Sequence, residues 1–155
     1  MERFHALTEE EKQLVLNAPA LITVLIAGAE GKIDHEEEER AKRAVAFRSI
    51  TGDPFLFEYY EKIENTFDSK VAEVIAAYPK DTEQRTRALS EELSKLNPVL
   101  AKLEKIFAKS LLDNWKNLAD AIARASGGFL GYFNISGKER KLIDLPMISL
   151  ADDDE

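Results

Sequence analysis

Four carboxylates crowd one short stretch, Gly28-Ala29-Glu30-Gly31-Lys32-Ile33-Asp34-His35-Glu36-Glu37, where Glu30, Asp34, Glu36 and Glu37 fall within residues 30–37. Hard cations such as Ca²⁺ and Mg²⁺ gather several oxygen ligands around one point, so Glu30, Asp34 and Glu37 are candidate ligands for a divalent cation. The spacing is not that of an EF-hand, whose loop of about twelve residues alternates its ligands and closes on a bidentate Glu. Asp34 and Glu37 also have a plain structural use as a capping box at a helix start, where each negative charge is favoured by about 0.3–1 kcal/mol. A cation site and a helix cap are therefore the two readings of this turn.

Gly128-Phe129-Leu130-Gly131 has the outline of a phosphate clamp. Such clamps carry basic residues beside their glycines or follow a strand, and this one follows an apolar helical pattern. Phe129, Leu130, Tyr132 and Phe133 instead predict a flap that either packs on the core or offers a sticky surface to a partner protein. Of the two histidines, His5 lies in a terminus expected to fray, and His35 is the second residue of the acidic cap, facing solvent or joining a metal site beside Glu36. Neither has a Ser or Asp arranged for nucleophilic catalysis. Trp115, with Asn114 beside it, is expected in the core or a groove. With no cysteine, no nucleophile paired to a base and no phosphate loop, the expectation is a protein that is not an enzyme.

The elements that must position these residues read as helices throughout. Thr8-Glu9-Glu10-Glu11 is a capping box that opens a first helix, expected to run to about Asn17. Pro19 suits the first turn of a second, where its missing N–H costs nothing. Leu21, Ile22, Val24, Leu25 and Ile26 make that second helix apolar nearly all round, which predicts a central, enclosed rod. After the cap at Asp34, Ala41, Ala44, Val45 and Phe47 mark the buried side of a further helix. Gly52-Asp53-Pro54 breaks the pattern.

Phe55, Tyr59, Ile63, Phe67, Val71, Val74 and Tyr78 then recur at helical spacing, predicting one long helix that ends before Pro79. Asp81 with Gln84 caps another, and Asn97-Pro98 either kinks it or starts a new one. Leu100, Leu103, Phe107, Leu111, Leu118 and Ile122 continue the stripe to Ala125. Ser136 with Glu139 caps a last short helix ahead of Pro146. No alternating strand pattern of useful length occurs.

A chain of 155 residues with 45% hydrophobic content can bury roughly two thirds of its unfolded surface, enough for one domain over residues 1–150. The last four residues carry half of the net charge of −8, and residues 151–155 are expected to form a disordered acidic tail. An acidic surface repels phosphate backbones, which argues against nucleic-acid binding. The longest apolar run, Ala18 to Ala29, is about half of what a bilayer span needs, which argues against membrane insertion. The amino terminus lacks the features of a secretory leader, and together with the lack of cysteine this gives a cytoplasmic expectation.

Ala29-Glu30-Gly31-Lys32-Ile33-Asp34-x-x-Glu37 resembles the Ala-Asp-Gly-x-Ile-x-x-x-Glu signature of the tellurite-resistance TerB-like proteins, and Ala125-Ser126-Gly127 with Ile135-Ser136-x-x-Glu139 resembles its second copy. The chain departs from that signature in carrying Glu30 for Asp, Ser126 at the second acidic position, and an insertion at residues 129–134. The resemblance covers roughly Leu14 to Leu150. It implies an all-α fold, a single compact bundle of about seven helices with a pseudo-twofold internal repeat. It further implies a non-enzymatic interaction module, a stress-response or signalling scaffold that docks another protein. The alternative it leaves open is a regulatory module that binds Ca²⁺ or Mg²⁺ through the acidic turn at residues 30–37.

Overall fold

Thr8 and Glu11 set the first boundary. In the computed structural model, which describes residues 2–28, 44–126 and 141–150, the Glu11 amide donates to the Thr8 hydroxyl at 3.1 Å and the Thr8 amide donates to the Glu11 carboxylate at 2.8 Å. This reciprocal cap opens helix α1 (Glu9–Ala27). Ahead of it, a 3-10 turn at Glu2–Phe4 tucks Phe4 into the core, and Leu7 is buried as well. The expected fraying of the terminus is thus corrected. Two apolar anchors hold it, helped by the exposed pairs Arg3–Glu104 and Lys102–Glu11, at 2.9 and 2.8 Å, to the segment before the last long helix.

The expected break between two helices near Asn17 does not occur, because α1 runs straight through Pro19. A proline inside a helix removes the N–H that would bond to the carbonyl four residues back, at a cost of about 3 kcal/mol. Here that carbonyl belongs to Val15, and the Tyr59 hydroxyl donates to it instead, at 2.7 Å. Trp115 Nε1 in turn donates to the Tyr59 oxygen at 3.2 Å. Thr23, also buried, donates its hydroxyl to the Pro19 carbonyl at 2.8 Å. The residues from Ala18 to Ile26 are all buried, as expected of an enclosed rod.

Around α1 lie α2 (residues 44–49), α3 (Phe57–Ile63), α4 (Phe67–Ala77), α5 (Thr82–Ser94), α6 (Leu96–Leu100) and α7 (Lys105–Ser126), with a 3-10 turn at Pro54–Leu56 capped by Asp53. No strand occurs among the described residues, and the protein is an all-α bundle. α1 packs against α7, α4 and α5 and touches α6 and α3. A single buried cluster joins all seven helices. Phe47 of α2 stacks on Phe67 of α4 at 4.1 Å between ring centroids and meets Tyr60 of α3 edge-on. In α2 the buried residues are Ala46 and Phe47, with Ile50 just beyond, whereas Val45, expected inside, is 59% exposed.

Two long helices expected from the apolar stripe are each divided. Residues 64–66 interrupt the first between α3 and α4, where the Thr66 hydroxyl turns back to the Ile63 carbonyl. Such local side-chain bonds compete with helix continuation. Residues 101–104 divide the second, and Leu103 in that link is itself buried. Asp81 caps α5 through the Gln84 amide at 3.0 Å, and Pro98 lies in the first turn of α6, so Asn97-Pro98 belongs to a new helix. Asn97 also holds the chain's return at residues 141–150, accepting from the Ser149 amide and donating to the Met147 carbonyl. The tail at residues 151–155 and the second motif copy, apart from Ala125 and Ser126 at the end of α7, lie outside the described residues.

The Tyr59 bond to Val15 is expected to matter only because Pro19 leaves the carbonyl unpaired. Tyr59→Phe should cost about 1–3 kcal/mol in urea unfolding followed by the single tryptophan, Trp115. In a Pro19→Ala background, where residue 19 regains its N–H, that cost should fall by at least about 0.5 kcal/mol. Equal costs in both backgrounds would disprove the substitution of hydroxyl for amide.

Candidate docking groove

Along α1, residues Glu10, Gln13, Leu14, Asn17 and Leu21 recur every three or four positions and so share one face of the helix. Along α4, Lys70, Glu73, Val74 and Ala77 do the same. The two faces adjoin and enclose a groove of about 510 Å³, extended by Glu9, by Tyr78 at the end of α4 and by Glu92 on α5. Its floor is apolar, formed by Leu14, Leu21, Val74 and Ala77 and flanked by the Tyr78 ring. Leu21 and Val74 are buried, Leu14 is half-buried and Ala77 is exposed, so the floor grades from core to surface.

The rim is acidic. Four carboxylates, those of Glu9, Glu10, Glu73 and Glu92, face one ammonium, that of Lys70. Three of the four hold a lysine three residues away: Glu9 with Lys12 at 3.7 Å, Glu73 with Lys70 at 3.1 Å and Glu92 with Lys95 at 2.8 Å. Exposed pairs of this kind are weak and exchange readily for other cations. Burial raises the Tyr78 hydroxyl above its ordinary pKa of 10.0, the nearby Glu92 carboxylate adds to the rise, and Lys95 opposes it. The phenol therefore stays neutral, a donor at the edge of the groove.

The residues lining the groove include no histidine. Elsewhere, Tyr60 donates to Asn114 within the core, and burial lifts both the Tyr59 and Tyr60 hydroxyls. Trp115 is fully buried, the core alternative of its two expected placements. His5 meets only the Glu2 carbonyl. Among the described residues no three metal-ligating side chains cluster. Glu30, Asp34 and Glu37, and likewise Phe129, Leu130, Tyr132 and Phe133, lie outside the described residues.

One buried cation sits at the end of α1. Arg85 of α5 is 4% exposed and donates to the carbonyl of Gly28 at 2.6 Å and to that of Lys80 at 2.9 Å. It thereby supplies the positive charge that the last turn of α1 lacks. A Cβ on Gly28 would lie 2.8 Å from the guanidinium, so glycine is required there for close approach rather than for its conformational freedom. Burial lowers the Arg85 pKa, and Asp81 opposes that shift.

Sequence reasoning missed the groove. The signal was present as an acidic start to α1 followed by Leu14 and Leu21 at helical spacing, but nothing local shows which other helix adjoins that face. Elsewhere Phe55, Phe57 and Ile106 are exposed, and the turn at Pro54–Leu56 lies beside the start of α7, with Arg3 stacked 4.5 Å over the Phe55 ring. No described helix is long and apolar enough to cross a membrane. Comparison with known protein families, with curated proteins and with solved structures gives no match.

The raised pKa values of Tyr59, Tyr60 and Tyr78 carry a sign. Each folded-state hydroxyl holds its proton above the unfolded value of 10.0, so the stability it contributes is complete below that pH and is lost as pH rises from there through the raised folded value. Glu92→Gln should lower the Tyr78 value alone, read from its ring ¹³Cζ shift in an alkaline titration. An unmoved Tyr78 curve would show that the Glu92 carboxylate does not act on it.

Proposed function

We propose that this chain is a non-enzymatic interaction module that docks another protein along the groove between α1 and α4. The observation that carries the proposal is the groove itself: two adjoining helix faces, each with a three-and-four spacing, leave an apolar floor open between charged edges. The resemblance of Ala29 to Glu37 to the TerB-like signature extends the proposal to a stress-response or signalling scaffold working in the cytoplasm. The lack of cysteine suits that compartment.

The cation-responsive reading at Glu30, Asp34 and Glu37 ranks second, because those residues lie outside the described ones and Asp34 with Glu37 already has a use as a helix cap in the sequence. Thermal midpoints in millimolar Ca²⁺ and Mg²⁺ are therefore expected to match those in chelator. A rise that Glu30→Ala with Asp34→Ala abolishes would reverse the ranking, because a ligand of the native state must stabilise it.

Docking is tested by placing a photo-crosslinking amino acid at position 77, on the groove floor, or at position 109, on the exposed face of α7, in cells that make the protein. One defined adduct is expected from position 77, identified by mass spectrometry and lost on Leu14→Glu in a variant whose thermal midpoint shows it folded. Adducts from position 109 alone, or adducts indifferent to Leu14→Glu, would overturn the groove as the contact.

A further inference from the structure

The groove restricts the chemistry of what fills it. Its long walls are both helical, and residues 10–21 of α1 span roughly 16 Å, about three helical turns. A third helix laid between two others buries one apolar stripe and leaves its flanks over the edges. Those edges here carry Glu9, Glu10, Glu73 and Glu92. Among the described residues Glu10 has no ion-pair partner, and the lysines held by the other three are exposed pairs that a partner's cations can replace at little cost.

Resting on the docking reading above, we infer that the occupant is a basic amphipathic helix. It presents an apolar stripe of roughly three turns to Leu14, Leu21, Val74 and Ala77, flanked by Lys or Arg that meet Glu10, Glu73 and Glu92. Charge complementarity selects it over the other occupants. A second copy of this chain brings a net charge of −8 to an acidic rim, and the chain's own last residues, Asp152-Asp153-Asp154-Glu155, are repelled by the same carboxylates. An anionic lipid surface or a nucleic acid meets the same repulsion.

The test uses three synthetic helical peptides of roughly twelve residues with one leucine pattern and flanks of Lys, Gln or Glu, added to the full ¹⁵N-labelled chain. The Lys peptide should shift the amides around Leu14, Leu21 and Val74, bind more weakly as salt rises, and lose about tenfold in affinity on Glu10→Gln with Glu92→Gln. Both substituted side chains reach solvent, and the Trp115 emission serves as the check on folding. If the Gln or Glu peptide binds the groove as tightly as the Lys peptide, or if salt and the double substitution change nothing, the basic partner is wrong while the docking groove stands. If none of the peptides moves the groove amides, or if the shifts gather instead around Phe55, Phe57 and Ile106, the docking reading itself fails.

Discussion

The Val15 carbonyl is the point on which three helices agree. Pro19 takes away its helical partner, and an unpaired buried carbonyl costs about 1–3 kcal/mol. The Tyr59 hydroxyl supplies the missing donor from α3, and Trp115 on α7 donates to that hydroxyl from the far side. The chain of donors runs from α7 through α3 into the middle of α1, so the three elements share one relative position that satisfies all of them. Tyr60 and Asn114, each adjacent in sequence to a member of that chain, form a second buried bond between α3 and α7. The apolar cluster around these groups is non-directional and tolerates sliding, whereas the two tyrosine bonds do not.

Fixing α1 fixes what it displays. The helix is enclosed along its second half, but its first half, from Glu9 to Asn17, still has a side turned outward, and the wall opposite that side is α4. α4 can stand there because the stripe running from Tyr59 to Val74 is broken at residues 64–66, so the two parts of that stripe need not share an axis. The groove thus follows from three constraints together: the capping box that starts α1 at Glu9, the Tyr59 bond that sets its depth in the bundle, and the interruption that frees α4 from α3.

Features governed by neighbours in sequence were legible before any coordinates. Thr8 with Glu11 and Asp81 with Gln84 both cap where their local chemistry says, and the residues from Ala18 to Ile26 are buried as their composition demands. Features governed by distant partners were not. Pro19 reads as a helix start because the hydroxyl that permits it mid-helix belongs to Tyr59, forty-four residues from Val15. The breaks at residues 64–66 and 101–104 are hidden because the apolar spacing carries across them, and a stripe records burial without recording whether the axis turns. In α2, Val45 and Ala46 are both apolar, so composition alone leaves the register open, and packing of Phe47 against Phe67 and Tyr60 selects Ala46 as the buried one.

The same distinction explains why the candidate site was not where the motifs pointed. Acidic and aromatic residues close together in sequence draw the eye to residues 30–37 and 129–133, whereas the groove takes its floor from Leu14, Leu21, Val74 and Ala77, two pairs separated by more of the chain than any motif spans. Each of its members is ordinary in isolation: a glutamate on an exposed helix face, a leucine at helical spacing. What makes them a surface rather than a set of side chains is that α1 is held from behind, through Arg85 on the Gly28 carbonyl at one end and Lys102 on Glu11 at the other. A face held at both ends loses little conformational entropy when a partner arrives, and that preorganisation leaves more of the contact energy for binding.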